Sequence, residues 1–103
     1  MTSQQKVTRM LTILGVDTRV RILQLLKGRV LCVGALCARL NVTQVAVSQH
    51  LRILREAGLV VPEKRGYYVH YRLNGEMMHA WRRAIDDLLE PGSSDDCRKR
   101  HRR

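Results

Sequence analysis

The chain has 103 residues, of which 45% are hydrophobic, and it carries 19 lysines and arginines against 9 aspartates and glutamates. This length is that of one small domain with a single core, and no apolar run is long enough to span a bilayer. The formal charge of +10 indicates a polyanionic partner. Because the N-terminus lacks the apolar core of a signal peptide, we expect a cytoplasmic protein that contacts no membrane.

Two helices are predicted in the first part of the chain. Residues 4–14 carry apolar side chains along one stripe and are followed by Gly15, which ends the first helix. Asp17 is expected to cap the start of a second helix, which ends near Lys27 with Gly28 as a left-handed stop. Apolar residues surround much of this second helix, so we expect it at the centre of the core.

A short strand and a helix-turn-helix unit are predicted next. The segment 29–32 is short and partly β-branched, which favours a strand. The pattern of residues 33–40 favours a helix. A tight turn at 41–42 leads to Thr43, which is expected to cap a further helix that Gly58 ends. The order helix, short turn, helix predicts a helix-turn-helix.

The helix that follows Thr43 has two contrasting faces. At helical period, its apolar stripe consists of Val47, Leu51 and Leu54. The opposite face carries polar and basic side chains: Gln44, Ser48, Gln49, Arg52 and Arg55. One face can pack on a small core while the other enters a DNA groove, so we interpret it as a recognition helix.

After Gly58 the period of the pattern changes from 3.6 to 2. Residues 59–63 and 67–73 are predicted strands, joined by the basic turn 64–66, and such a hairpin beside a recognition helix is a wing. Residues 76–90 predict a last helix with a wide apolar face. The predicted class is mainly α with a small β-hairpin (α+β), a winged helix-turn-helix domain over 1–90 with a disordered basic tail over 91–103.

Several segments together resemble a known family. They are residues 17–23, 31–33 with Leu36, 47–60 and 66–73, and the most specific is the run from Ser48 through His50-Leu51 to Ala57-Gly58-Leu59-Val60. In this continuous order the chain resembles the ArsR/SmtB group of dimeric bacterial winged-helix repressors. The resemblance implies a homodimer formed by the first and last helices, bound to an inverted-repeat operator in double-stranded DNA and released by an inducer.

The candidate DNA contacts lie on the recognition helix and the wing. They are Thr43, Gln44, Ser48, Gln49, His50, Arg52, Lys64 and Arg65. Glutamine can read adenine with two hydrogen bonds, whereas His50 and Arg52 are expected to contact phosphate, which fixes position without specifying sequence. Val45 and Ala46 stand where many members of the family are polar, which leaves the operator sequence open. The alternative is a solvated polar face without a ligand.

The apolar stripes of the first and last helices exceed what one small core needs. A two-fold dimer would bury the excess. The candidate interface residues are Val7, Met10, Leu11, Leu14, Met77, Trp81, Ile85 and Leu88.

Three cysteines, an odd number, argue against a disulfide framework. The arsenic-sensing branch of the family that the chain resembles carries Cys-x-Cys-x-x-Cys, and this chain has Cys32, Gly34 and Cys37 at those positions. The resemblance implies trivalent arsenic, trivalent antimony or a soft metal ion as inducer, with Cys97, water or an external thiol as a third ligand; no other cofactor is expected. On an intact helix the two thiols are about 140° apart, so ligation would distort its start. The alternative is that both cysteines are structural.

Other functions are weighed against this reading. The zinc-sensing branch of the family needs more metal ligands on the last helix than Glu76, His79 and Glu90 provide. A redox or persulfide switch at the same thiols, and an inducer-independent architectural or RNA-binding module, remain alternatives. An enzyme is not expected, because no nucleophile and base, phosphate loop or carboxylate pair stands at a chemical spacing.

Overall fold

The computed structural model describes residues 1–93, which form five helices and three strands. In chain order they are α1 (Ser3–Leu14), α2 (Asp17–Leu25), β1 (Leu31–Cys32), α3 (Val33–Leu40), α4 (Gln44–Glu56), β2 (Val60–Arg65), β3 (Tyr68–Leu73) and α5 (Gly75–Leu89). This is the predicted mainly α chain with a small sheet. The predicted tail from residue 94 onward, including Cys97, lies outside the described residues.

The first two helices differ in how they begin. Thr2 caps α1 reciprocally, since its hydroxyl accepts from the Gln5 amide at 3.1 Å while the Gln5 side chain accepts from the Thr2 amide at 2.9 Å. The predicted cap at Asp17 is wrong. Val16 occupies the cap position without a side-chain hydrogen bond, and Asp17 is the first residue inside α2. There its carboxylate lies at the positive end of the helix dipole, which explains its place without a capping bond.

The helix-turn-helix forms where the sequence predicts it. Asn41 ends α3 in the left-handed conformation with a φ of 55°, which a short polar side chain tolerates. Two residues later the Thr43 hydroxyl accepts from the Ala46 amide at 3.2 Å and starts α4. Gly58 follows α4 with a φ of 81°, as expected of a left-handed stop.

The three strands form one antiparallel sheet in the order β1-β3-β2. The hairpin is longer than predicted, because Lys64 and Arg65 pair with Val69 and Tyr68 rather than forming the turn. Gly66 and Tyr67 alone make the connection, and Gly66 has a φ of 62°. A positive φ at the first of two turn residues is the arrangement that suits the twist of a tight hairpin. The predicted first strand is reduced to two residues, which pair with β3.

The core lies where α2, α3, α4 and the start of the wing meet. Its fully buried side chains are Ile22, Leu26, Leu36, Val47, Leu51, Leu54, Leu59 and Val60. Ile13 of α1 and Trp81 of α5 close it from the side, each 8% exposed. The last helix starts one residue before the prediction, at a cap by Asn74 that accepts from the Met77 amide at 3.2 Å. No helix within 1–93 is long and apolar enough to cross a membrane.

Candidate nucleic-acid interface

The recognition helix α4 is held by its apolar face and presents the opposite one. Val47, Leu51 and Leu54 are at most 1% exposed and fix the helix on the core. On the other side a shallow open groove is lined by Gln44, Val45, Ser48, Gln49 and Arg52. The structure therefore brings four of the predicted contacts together on one surface, with the 69% exposed Val45 among them. Amide, hydroxyl, guanidinium and methyl groups on one helix face are the groups that read a major groove.

His50 differs from the other predicted contacts, because it faces partly inward. It is half-buried, and its Nδ1 accepts a hydrogen bond from Nε of Arg19 at 3.3 Å. Burial, followed by the charge of Arg19, lowers the pKa of His50 below its ordinary value. Because Nδ1 accepts this hydrogen bond, Nε2 is the ring nitrogen that can donate to a phosphate. Sequence reasoning missed Arg19, since only the fold brings α2 beside α4.

A second arginine of α2 supports the same unit. Nη2 of Arg21 donates to the carbonyl of Leu40 at 3.4 Å, at the C-terminal end of α3. A guanidinium at this position satisfies a free carbonyl and complements the helix dipole. The two arginines, 19 and 21, thereby fasten both helices of the helix-turn-helix to α2.

Two of the predicted cations carry intramolecular partners. Arg52 pairs with Glu56 at 3.1 Å and Arg65 pairs with Glu63 at 3.1 Å, and all four side chains are substantially exposed. Exposed pairs of this kind contribute little to stability, about 0–1 kcal/mol. Both arginines can therefore exchange a carboxylate for a phosphate at small cost.

The wing tip is both basic and aromatic. Lys64 is exposed and makes no ion pair with any other residue in 1–93. Beside it Tyr67 is 99% exposed and Tyr68 is 66% exposed. The sequence interpretation placed Tyr67 and Tyr68 in a strand and gave them no role. Because the turn contains only Gly66 and Tyr67, the tyrosine is the outermost side chain of the hairpin.

The two thiols in the described residues both lie at α3, but in different environments. Cys32 and Cys37 are free and half-buried, Cys32 at the N-cap of α3 and Cys37 against the core. Sγ of Cys32 lies 4.0 Å from the place where a Cβ on Gly34 would stand. No group of three histidine, cysteine, aspartate or glutamate side chains within residues 1–93 could hold a metal ion. This covers Glu76, His79 and Glu90 of the zinc-branch interpretation.

Seven of the eight predicted interface residues separate into two groups, while Ile85 is half-buried and belongs to neither. Met10, Leu14, Met77 and Trp81 pack within the chain's own core. Val7, Leu11 and Leu88 instead line an open groove between α1 and α5, with Ala84 at its floor. Leu11 is 42% exposed and Leu88 is 51% exposed, and Leu89, which the prediction omitted, is 72% exposed. The α1–α5 groove is therefore an apolar surface that a single chain leaves uncovered.

Comparison with known proteins agrees with this architecture. A family model for bacterial regulatory proteins of the arsR family matches residues 17–61, from the start of α2 into β2. A crystal structure of a possible transcriptional regulator for arsenical resistance is 38% identical, with a TM-score of 0.72, over 78% of this chain and 83% of that one. The chain belongs to the ArsR family of bacterial regulatory proteins. Members of this family are regulators that bind DNA, not enzymes.

Two further relatives extend the comparison. The arsenical resistance operon repressor of Escherichia coli (strain K12) is 44% identical over 77 residues, which is 73% of this chain and 64% of that protein. The structure of reduced HlyU from Vibrio cholerae N16961 is 32% identical, with a TM-score of 0.67, over 84% of this chain and 93% of that one. HlyU is named a transcriptional activator. The resemblance found in the motifs is thus confirmed at the level of family and fold.

Proposed function

We propose that the chain is a transcriptional repressor that binds an inverted-repeat operator as a homodimer and is released by a thiophilic inducer at Cys32 and Cys37. The observation that carries the DNA-binding part is the geometry of α4. The apolar side chains on its inward face are at most 1% exposed. Its outward face holds Gln44, Ser48, Gln49 and Arg52 in one open groove. A helix so fixed can enter a major groove without reorganising.

The open apolar groove between α1 and α5 supports the proposed dimer. Val7, Leu11 and Leu88 lie there outside the core cluster. A two-fold dimer through this groove would bury the same patch of both chains. It would also present the two α4 helices to successive major grooves, about 34–36 Å apart. The two-fold symmetry of the dimer would then require an inverted repeat in the DNA.

The inducer part is supported by the thiols and by a relative. Cys32 begins α3, the first helix of the helix-turn-helix, and Cys37 lies in its last turn. An ion that draws these two sulfurs together changes the start of α3 and hence the setting of α4. The relative from Escherichia coli is named for arsenical resistance, and trivalent arsenic or antimony is the matching inducer class here.

The test is operator binding by the full chain at fixed salt. An operator is first selected from randomised duplexes, and binding is then followed by fluorescence anisotropy while arsenite, antimonite, zinc, cadmium or a persulfide is added. We expect release by a thiophilic ion in the wild type and no release in Cys32→Ser, which should still bind the operator. Release that survives in Cys32→Ser would show that the inducer acts elsewhere.

A thiol redox switch is the second candidate. The solved HlyU relative is described in a reduced form, and both described cysteines here are free thiols. In this case a peroxide would oxidise Cys32 and Cys37 to a disulfide and be reduced to water. Release of DNA by peroxide without any ion, reversed by a reducing dithiol, would favour this candidate over an ion-responsive repressor.

A further inference from the structure

A thiol and an imidazole face each other across the seam between β1 and β3. Cys32 and His70 are directly opposite partners in this antiparallel pairing. Opposite residues project from the same face of a sheet, with Cβ atoms about 4.5–5.5 Å apart. Both residues are half-buried. The sheet therefore places the two side chains as neighbours on one face of a rigid support.

The ring of His70 carries a nitrogen that the protein does not use. Nδ1 is buried and makes no hydrogen bond to any group within residues 1–93. Buried polar atoms almost always have a partner, so each exception calls for an explanation. A neutral imidazole nitrogen is a common metal ligand, and one that no donor occupies is available to an ion.

The neighbour on the other side of His70 does not supply that partner. Glu63 is opposite His70 on β2, but its carboxylate is 3.1 Å from Arg65. The row Cys32, His70, Glu63 thus crosses all three strands on one face, with the carboxylate engaged by its own cation. The thiol and the imidazole are the two groups of the row that remain for a ligand.

We propose that Cys32 Sγ and His70 Nδ1 are two ligands for a borderline-soft divalent ion such as zinc, and that Cys37 joins them when the ion binds. The inference rests on the proposed function, and it adds a divalent metal ion to the trivalent ions proposed there for the site at Cys32. Mixed sulfur and nitrogen ligands suit zinc, whereas trivalent arsenic prefers sulfur alone. Each thiol releases its proton on binding the ion.

Recruitment of the third ligand gives the site its effect. The described residues hold no ready-made group of three ligands, and Cys37 lies against the core in α3. An ion held at Cys32 and His70 binds more tightly once Cys37 approaches, so it favours a displaced α3 over the present one. The wing and the helix-turn-helix would then be joined through one ion.

Cobalt(II) is the probe for zinc, because its visible and thiolate charge-transfer bands report bound sulfur and coordination number. The full chain is titrated with cobalt(II) and then with competing zinc, in the wild type, His70→Gln, Cys32→Ser and the control His79→Gln. His79 is exposed on α5. We expect His70→Gln to lower affinity by at least about tenfold, since losing even an outer-shell partner costs about 10- to 100-fold. The control should match the wild type.

The outcomes separate this inference from the proposed function. If His70→Gln binds cobalt(II) like the wild type while Cys32→Ser does not, the thiol site stands and the role of His70 is overturned. If neither change matters, the thiol site itself is wrong. Failure of the wild type to bind cobalt(II) or zinc overturns the inference, while release of DNA by arsenite would still support the repressor.

A second measurement needs no substitution in the sheet. In ¹⁵N spectra of the histidine rings, zinc should move the Nδ1 signal of His70 and leave His50 and His79 in place. A zinc-loaded chain whose His70 nitrogens do not move would rule out ligation by this ring, whatever the folding of the variants.

Discussion

Nε of Arg19 donates a hydrogen bond to Nδ1 of His50 over 3.3 Å and so joins α2 to the middle of the recognition helix. The same guanidinium donates through Nη1 to the carbonyl of Ile13 at 3.2 Å, near the end of α1. One side chain therefore connects three helices. Since α1 also forms one wall of the proposed dimer groove, Arg19 links α4 to that groove through two hydrogen bonds.

Replacing Arg19 by glutamine should weaken operator binding without changing base preference. A hydrogen bond contributes about 0.5–1.5 kcal/mol, which corresponds to roughly two- to tenfold in affinity if α4 loses its setting. The measurement is anisotropy on the selected operator at fixed salt. Arg9→Gln is the matched control, because it removes the same charge from an exposed position on α1. Equal weakening in the control would mean that net charge, not the contact with His50, is responsible.

The His50 ring should make folding stability sensitive to acid. Burial and Arg19 lower its pKa in the folded chain, so below about pH 6.5 the unfolded chain binds more protons. Stability is then complete above this pH and falls as the pH decreases through it toward the lower folded value. Urea unfolding between pH 8 and 5 should show a larger loss for the wild type than for His50→Gln. Parallel curves for the two proteins would contradict the assignment, and His79→Gln serves as the control.

Gln49 and Arg65 should affect DNA recognition in different ways. Gln49 lies in the groove on α4, and losing a bidentate base contact costs about 1–3 kcal/mol at one base pair. Arg65 lies on the wing, where it pairs with Glu63, and it should contact a phosphate of the DNA backbone. Arg65→Ala should therefore lower affinity evenly across operator variants and reduce the salt slope by about one. Binding to a panel of single base-pair changes tests both, and uniform effects from both substitutions would refute the base-reading role of Gln49.

The α1–α5 groove should be sensitive to a buried charge. In a dimer, Leu88→Asp places one carboxylate from each chain in the proposed interface. It is therefore expected to weaken dimerisation by about 2 kcal/mol or more. Sedimentation equilibrium measures this directly. Val69→Asp is the control, because Val69 is an apolar residue of the wing that is 41% exposed. A Leu88→Asp protein that dimerises like the control would place the interface elsewhere.

Gly34 offers a gain-of-function test of the thiol site. A Cβ there would lie 4.0 Å from Sγ of Cys32, and the backbone is not left-handed, so cysteine fits without strain. Gly34→Cys gives three sulfurs between the N-cap and the last turn of α3 and should raise arsenite affinity at least about tenfold, or 1.4 kcal/mol. Gly75→Cys adds a thiol at an open position on α5 as the control. Calorimetric titration with arsenite distinguishes them, and equal affinities would argue against a site at α3.

Much of the fold could be predicted, because local signals agree with the packing. The apolar period of Val47, Leu51 and Leu54, the cap at Thr43 and the stop at Gly58 together define α4 before any contact is known. Asp17 misled the prediction, since an acidic residue is equally favourable just inside a helix as at its cap. The sequence predicts too short a hairpin, because two consecutive cations are typical of a turn. Cross-strand pairing, however, decides where a strand ends.

The candidate site was predictable only where its residues belong to one element. The outward face of α4 can be read from helical spacing alone. Contacts between elements cannot, because they depend on register and packing. Arg19 beside His50 and His70 opposite Cys32 are both of this kind, separated in sequence and joined only by the fold.

The two-residue strand β1 has a topological consequence. By pairing with β3 it joins residues 31–32 to residues 70–71, and so closes a loop of chain that contains α3, α4 and β2. This short bridge is one of the links that close the loop, together with the packing of α3 and α4 on the core. Opening it would free the start of α3 from the wing while the buried face of α4 stays packed. Amide exchange at Leu31 and Cys32 would therefore report when the wing separates from the start of α3, ahead of the opening of the core.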